Sequence, residues 1–107
     1  MPDVFHALAS QTRRALLERL SRSDLSVTRL AGGFDLSVPA ISQHLQILRK
    51  AALVRQRRVG RNRIYRLNPE PLRDLSNWLR RYDSAWRARS RTLVEDLKRR
   101  SPEDRWR

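Results

Sequence analysis

The 107-residue chain carries 24 Lys and Arg against 11 Asp and Glu, a formal charge of +13, with 39% hydrophobic residues and no cysteine. A single domain of this size buries only about 60–70% of its unfolded surface, so its core is modest and a second subunit would help cover apolar surface. The missing cysteines exclude disulfides, thiolate metal sites and thiol redox sensing, while the excess of cations points to a polyanion, nucleic acid first.

The opening MPDVFHALA has no basic-then-apolar leader pattern. No window approaches about 18 continuous apolar residues, so a cytoplasmic protein without membrane contact is expected. Residues 3 to 9 predict a short helical turn, with Val4, Phe5 and Leu8 at i, i+1 and i+4; alone it is too short to persist. His6, beside that stripe, reads as a packing or half-exposed residue rather than a metal ligand. Ser10 reads as the N-cap of a helix from Gln11 to about Ser21, with Ala15, Leu16, Leu17 and Leu20 on one stripe. Arg13 and Arg14 near its start oppose the helix dipole. They call for another partner, a carboxylate such as Asp3 or Glu18 ahead of a phosphate.

Asp24 to Val27 reads as a linker, and Thr28–Phe34 as a short helix ended by Gly32 and Gly33, which lower helix propensity by about 1 kcal/mol each. After the turn at Asp35 and Leu36 comes the segment 37–53, SVPAISQHLQILRKAAL. At about 100° per residue, Val38, Ile41, Leu45, Leu48 and Ala52 form one stripe while Pro39, Gln43, Gln46 and Lys50 face away. Ser37 is the N-cap and Pro39 falls in the first turn, where its missing N–H costs little. The exposed nose of Ser37, Pro39, Ala40, Ser42 and Gln43 is small and neutral where a solvated helix would carry Glu and Lys. It suits close approach to another surface.

Residues 54–67 read as two strand-like halves around Gly60 and Asn62, which supply the positive φ of a tight hairpin. Between Asp35 and Glu70 there is no acidic residue, against eight basic ones: Arg49, Lys50, Arg55, Arg57, Arg58, Arg61, Arg63 and Arg66. Two short helices, a tight turn and an arginine-tipped hairpin predict a winged helix-turn-helix facing double-stranded DNA. In segment 69–100, Leu72, Leu79, Trp86 and Leu93 recur every seven residues, with Leu75 and Tyr82 three after the first two. A helix there would span roughly 45 Å, and its seam calls for a partner. Residues 101–107 are expected to be a frayed tail. The expected fold is thus a single domain over 1–107, mainly α with a small β-hairpin, in which helices over 3–36 precede the recognition helix.

The wording of three segments resembles the ArsR family of small dimeric repressors, in the branch without metal ligands. The first is Phe5, Ala7, Leu8, Ala9, Ser10, Thr12, Arg13, Arg14, Ala15, Leu16 and Leu17, which matches F-x-A-L-A-(D/S)-x-T-R-R-x-(I/L)-L. The second is the recognition segment Ser37, Pro39, Ala40, Ile41, Ser42, His44, Leu45, Leu48 and Arg49. The third is the wing, Gly60, Arg61, Arg63, Tyr65 and Leu67.

The resemblance implies a homodimer joined through the first and last helices, with Phe5, Leu72, Leu75, Leu79, Tyr82, Trp86 and Leu93 at the interface, binding a pseudo-palindromic operator. Carried over, Ser37, Pro39, Ala40, Ser42 and Gln43 would face base edges or adjacent phosphates, and Gln43 could make the bidentate contact to adenine. His44 flanks the apolar stripe and would pack there, at most touching a phosphate. Arg57, Arg58, Arg61 and Arg63 would reach phosphates or a narrow minor groove, whereas Arg55 and Arg66 read as solvated charges. Where metal-sensing relatives carry a Cys pair, this chain has Ser26, Val27 and Thr28, and no histidine follows residue 44. No metal and no cofactor are expected.

Competing readings explain less. A non-specific basic nucleic-acid binder, architectural or RNA-associated, accounts for the charge but not for the neutral nose or the arginines gathered at one hairpin. Enzyme chemistry lacks a Gly-rich phosphate loop, paired carboxylates or a nucleophile with a base at hand. A protein-docking winged helix would need an exposed apolar patch that the pattern does not reveal.

Overall fold

The computed structural model describes residues 3–99, in the order α1 (Val4–Leu8), α2 (Gln11–Arg22), β1 (Leu25–Ser26), α3 (Val27–Ala31), α4 (Val38–Lys50), β2 (Val54–Val59), β3 (Asn62–Leu67) and α5 (Glu70–Arg99). The chain divides into two compact units, Met1–Leu72 and Arg73–Arg107. The proposed tail, 101–107, lies outside the described residues.

Four helices of the first unit begin on a side-chain cap that accepts a first-turn N–H: Asp3 from His6, Ser10 from Arg13, Ser26 from Arg29 and Ser37 from Ala40. Each cap satisfies a donor that the helix itself cannot. The stripes then meet in one core of Ala7, Leu16, Leu17, Leu20, Leu30, Ala31, Ile41, Leu45, Leu48, Ala51, Leu53, Val54 and Tyr65. Each fully buried Leu or Ile contributes about 1.5–3 kcal/mol of transfer free energy. Leu72, expected in the C-terminal seam, is half-buried against this core.

The end of α4 is tied by a Schellman motif, which limits the helix to Val38–Lys50 within the expected 37–53. Leu53 N–H donates to Leu48 O (3.0 Å) and Ala52 N–H to Arg49 O (2.9 Å). Ala52 takes the left-handed conformation (φ 59°) that glycine usually fills. Leu48 and Leu53 are both fully buried, the hydrophobic closure such an ending brings.

Three local expectations are corrected. The stretch read as a linker holds β1, so the sheet has three strands in the order β1-β3-β2, with Leu25 opposite Tyr65 and Ser26 opposite Ile64. A two-residue strand is too short to show alternation. The third helix starts earlier and is shorter than Thr28–Phe34, running Val27–Ala31 on its Ser26 cap. In the hairpin, Val59 pairs with Asn62, which leaves the two-residue loop Gly60–Arg61. Gly60 alone takes positive φ there (61°) and Asn62 is an ordinary strand residue, a pattern that fits a type II′ turn.

The partners of Arg13 and Arg14 are also corrected. Among the described residues, neither binds a carboxylate. Arg13 is buried and donates from Nε to Ala7 O (2.8 Å) and from Nη2 to His6 O (2.9 Å), and Arg14 Nη1 donates to Leu8 O (2.7 Å). These carbonyls close α1, where the dipole favours a cation. Arg19 treats α3 alike, donating to Leu30 O (2.6 Å) and Arg29 O (3.0 Å) and lying 5.9 Å over the Phe34 ring. A Cβ on Gly33 would stand 2.7 Å from Arg19 Nη1, so any larger residue there displaces this cap.

Within the second unit, α5 exposes Trp78, Leu79, Tyr82, Trp86, Leu93, Val94 and Leu97. Trp78 and Tyr82, one turn apart, meet edge to face with centroids 4.8 Å apart. Among the described residues, no helix is long and apolar enough to cross a membrane.

Candidate nucleic-acid interface

The polar side of α4 divides into two flanks. Ser42, Gln46 and Arg49, at i, i+4 and i+7, form a stripe that faces the hairpin and lines a cleft of about 180 Å³ with Val27, Gln56, Arg63 and Tyr65. Gln56 Oε1 is buried in this region and accepts no hydrogen bond among the described residues. The other flank carries His44, whose Nδ1 lies 3.2 Å from Arg13 Nη1. At the nose, Ser37, Pro39 and Gln43 are exposed and Ala40 and Ser42 half-exposed, with no large side chain among them.

Strand register sorts the wing arginines. Arg58 stands opposite Arg63, and Gln56 opposite Tyr65, so these four share the face turned toward α4. Arg57 pairs with Ile64 and Arg55 with Arg66, on the opposite face. There a cavity of about 160 Å³ is lined by Asp24, Arg55, Gln56, Arg57, Ile64 and Arg66. Strand register therefore divides the four wing arginines proposed from the sequence between the two faces and the turn. Arg58 and Arg63 join Arg49 beside α4 and Arg61 occupies the turn, while Arg57, on the far face by register, also lines a cavity of about 360 Å³ with Arg49, Gln56, Arg58 and Arg63.

The far face also carries a carboxylate, Asp24. Arg66 is exposed, as expected, and donates to Asp24 Oδ2 from Nε (3.0 Å) and Nη2 (2.8 Å). The Asp24 carboxyl is held below its ordinary value of 3.8, chiefly by the hydrogen bonds from Arg66 and further by the nearby charges of Arg66 and Arg57; the Arg66 guanidinium is raised in turn. By contrast, the side chains of Arg49, Arg58, Arg61 and Arg63 make no hydrogen bond or ion pair among the described residues.

Sequence reasoning missed Gln46, Arg49 and Gln56 as members of this surface. The signal for the first two was present: with Ser42 they repeat at i, i+4 and i+7 along one side of the apolar stripe. Gln56 had none, because its inward direction follows from the register of β2. Among the described residues, no three His, Asp or Glu side chains gather as a metal site would require.

A helix with a small neutral nose, beside a hairpin whose near face carries unpaired arginines, defines the class of winged helix-turn-helix DNA-binding domains. Residues 10–56 match the family model described as bacterial regulatory protein, arsR family. The chain is 45% identical over 82 residues to the HTH-type transcriptional regulator Rv2034 of Mycobacterium tuberculosis, covering 76% of this chain and 77% of that protein. It is 38% identical over 79 residues to the transcriptional repressor SdpR of Bacillus subtilis, covering 74% and 88%. The structure is similar to that of an ArsR-like transcriptional regulator from Rhodococcus sp. RHA1, with a TM-score of 0.77, 32% identity, and 92% and 90% of the two chains covered. The chain belongs to the ArsR family of transcriptional regulators and is a sequence-specific DNA-binding protein.

Proposed function

We propose that the protein is a homodimeric repressor that sets the nose of α4 into the major groove of a pseudo-palindromic operator. The observation that carries this reading is the acid-free surface from Ser37 to Arg63, where Arg49, Arg58 and Arg63 line one side of the recognition helix. Ser37, Pro39, Ala40, Ser42 and Gln43 face base edges or their phosphates, and Gln43 reads adenine through its amide. His44 meets the backbone beside them. Arg58, Arg61 and Arg63 contact phosphates or the minor groove, and Arg57 reaches a flanking phosphate from the far face of the wing.

The dimer forms through Phe5 on α1 and the apolar residues Leu75, Leu79, Tyr82, Trp86 and Leu93 of α5, with half-buried Leu72 at the edge. Trp86 is 59% exposed and Tyr82 61% exposed in one protomer, a large aromatic surface that calls for a partner. Regulation in the cytoplasm without a resident metal or cofactor completes the reading.

Selection from a random duplex pool tests it. The expected outcome is an enriched two-fold motif, bound as a dimer at least roughly 10³ more tightly than scrambled DNA. Equal affinity for all duplexes would instead support the non-specific binder. Sedimentation of Trp86→Ala should show a weaker dimer, since a buried aromatic carries much interface area; an unchanged dimer would place Trp86 outside the interface.

A further inference from the structure

We propose that Arg13 is a positioning residue for DNA binding: it holds His44 as the neutral Nε2–H tautomer, so that the recognition helix presents one more hydrogen-bond donor to the phosphate backbone. This rests on the reading that α4 meets DNA, and it goes beyond that reading in assigning a role to a buried residue remote from the wing.

The argument begins with what a guanidinium can do. It has five N–H donors and no acceptor. At 3.2 Å from Arg13 Nη1, His44 Nδ1 therefore accepts, and its lone pair must be free. The ring proton then resides on Nε2. Arg13 has little freedom to do otherwise, because Nε is held by Ala7 O, Nη2 by His6 O, and the residue is only 8% exposed. One side chain thus joins the last carbonyls of α1 to the middle of α4.

His44 itself is half-exposed, and Arg13 is the one hydrogen-bond partner of its ring among the described residues. Its Nε2–H is left for a partner outside the protein. On the helical wheel His44 stands about 60° from Ile41, on the flank rather than the nose. A donor at the flank meets the sugar-phosphate backbone, which is where most protein–DNA hydrogen bonds go.

Two measurements on the full chain test the proposal. Nitrogen NMR of the imidazoles is simple to assign, because His6 and His44 are the two histidines. The wild type should show His44 as a single Nε2–H tautomer near pH 7.5, and Arg13→Lys, which keeps the charge but lacks the fork, should shift it toward the mixture of free imidazole. A Nδ1–H tautomer or an imidazolium in the wild type would overturn the proposal.

The second measurement leaves Arg13 in place. On a duplex selected from a random pool, H44Q, whose amide nitrogen replaces Nε2, should bind within about threefold of wild type. H44N, whose amide reaches only the Nδ1 position, should bind about tenfold more weakly. Equal affinities for the two variants would overturn the donor role. A wild type that binds no duplex would overturn it together with the DNA reading, and the NMR result would then show separately whether Arg13 holds the ring.

Discussion

The arginines of the N-terminal helices and those of the wing are chemically identical and physically opposite. Arg13, Arg14 and Arg19 spend their donors on carbonyls at the ends of α1 and α3, with contacts of 2.6–3.0 Å. Arg49, Arg58, Arg61 and Arg63 make no such contact, and they stand where the chain has no acidic residue from 36 to 69. The formal charge of +13 therefore overstates what is offered to DNA, because part of it closes the fold. Whether an arginine serves stability or binding is decided by the carbonyls within its reach.

The largest expected effect breaks the first group. Arg13→Ala strips the Ala7 carbonyl of its donor, leaves the His6 carbonyl with the Ala9 N–H alone and removes a buried side chain, and should cost about 3 kcal/mol in denaturant unfolding. Arg58→Ala, on the exposed wing, should stay within about 0.5 kcal/mol of wild type in the same assay. If the two variants unfold alike, the distinction between the groups fails.

Specificity comes next. Gln43→Ala should cost about 1–3 kcal/mol on the selected operator and much less on scrambled DNA, as competitive binding would reveal; equal losses on both would remove Gln43 from base reading. A smaller effect tests the frame that carries the nose. Ala52→Gly relieves the left-handed strain at the end of α4 and should stabilise the protein by about 1 kcal/mol, read as a higher melting temperature.

The smallest effect concerns Asp24 and Arg66, exposed on the far face of the wing. Because the Asp24 carboxyl titrates lower in the folded chain than when unfolded, the pair stabilises above about pH 4 and that contribution is lost as pH falls below 3.8. The melting-temperature difference between wild type and Asp24→Asn should thus be small and positive at pH 6 and vanish in acid. A difference that persists in acid would mean that Asp24 acts by packing.

How much of this was legible follows the range of the interactions. The caps at Ser10 and Ser37 and the stripe Ile41, Leu45, Leu48 were readable because each depends on neighbours within one or two turns. The role of Arg13 was not, because its partners His6, Ala7 and His44 gather only when three helices pack. The same holds for β1, which exists by pairing with β3 some forty residues away, and for the separation of Arg57 from Arg58, which depends on hairpin register. Gly60 and Asn62 marked the turn, but only the register says which of them enters the loop.

The most direct test compares the two groups of arginines on DNA. Anisotropy titrations of the wild type, the double variant Arg58→Ala/Arg63→Ala and the single variant Arg14→Ala on one selected duplex, over about 50–200 mM salt, give the slope of log affinity against log salt. The account predicts that the double variant loses close to two from the magnitude of the slope, about one per phosphate contact, while Arg14→Ala keeps the wild-type slope. An unchanged slope in the double variant, or an equal fall in Arg14→Ala, would contradict it.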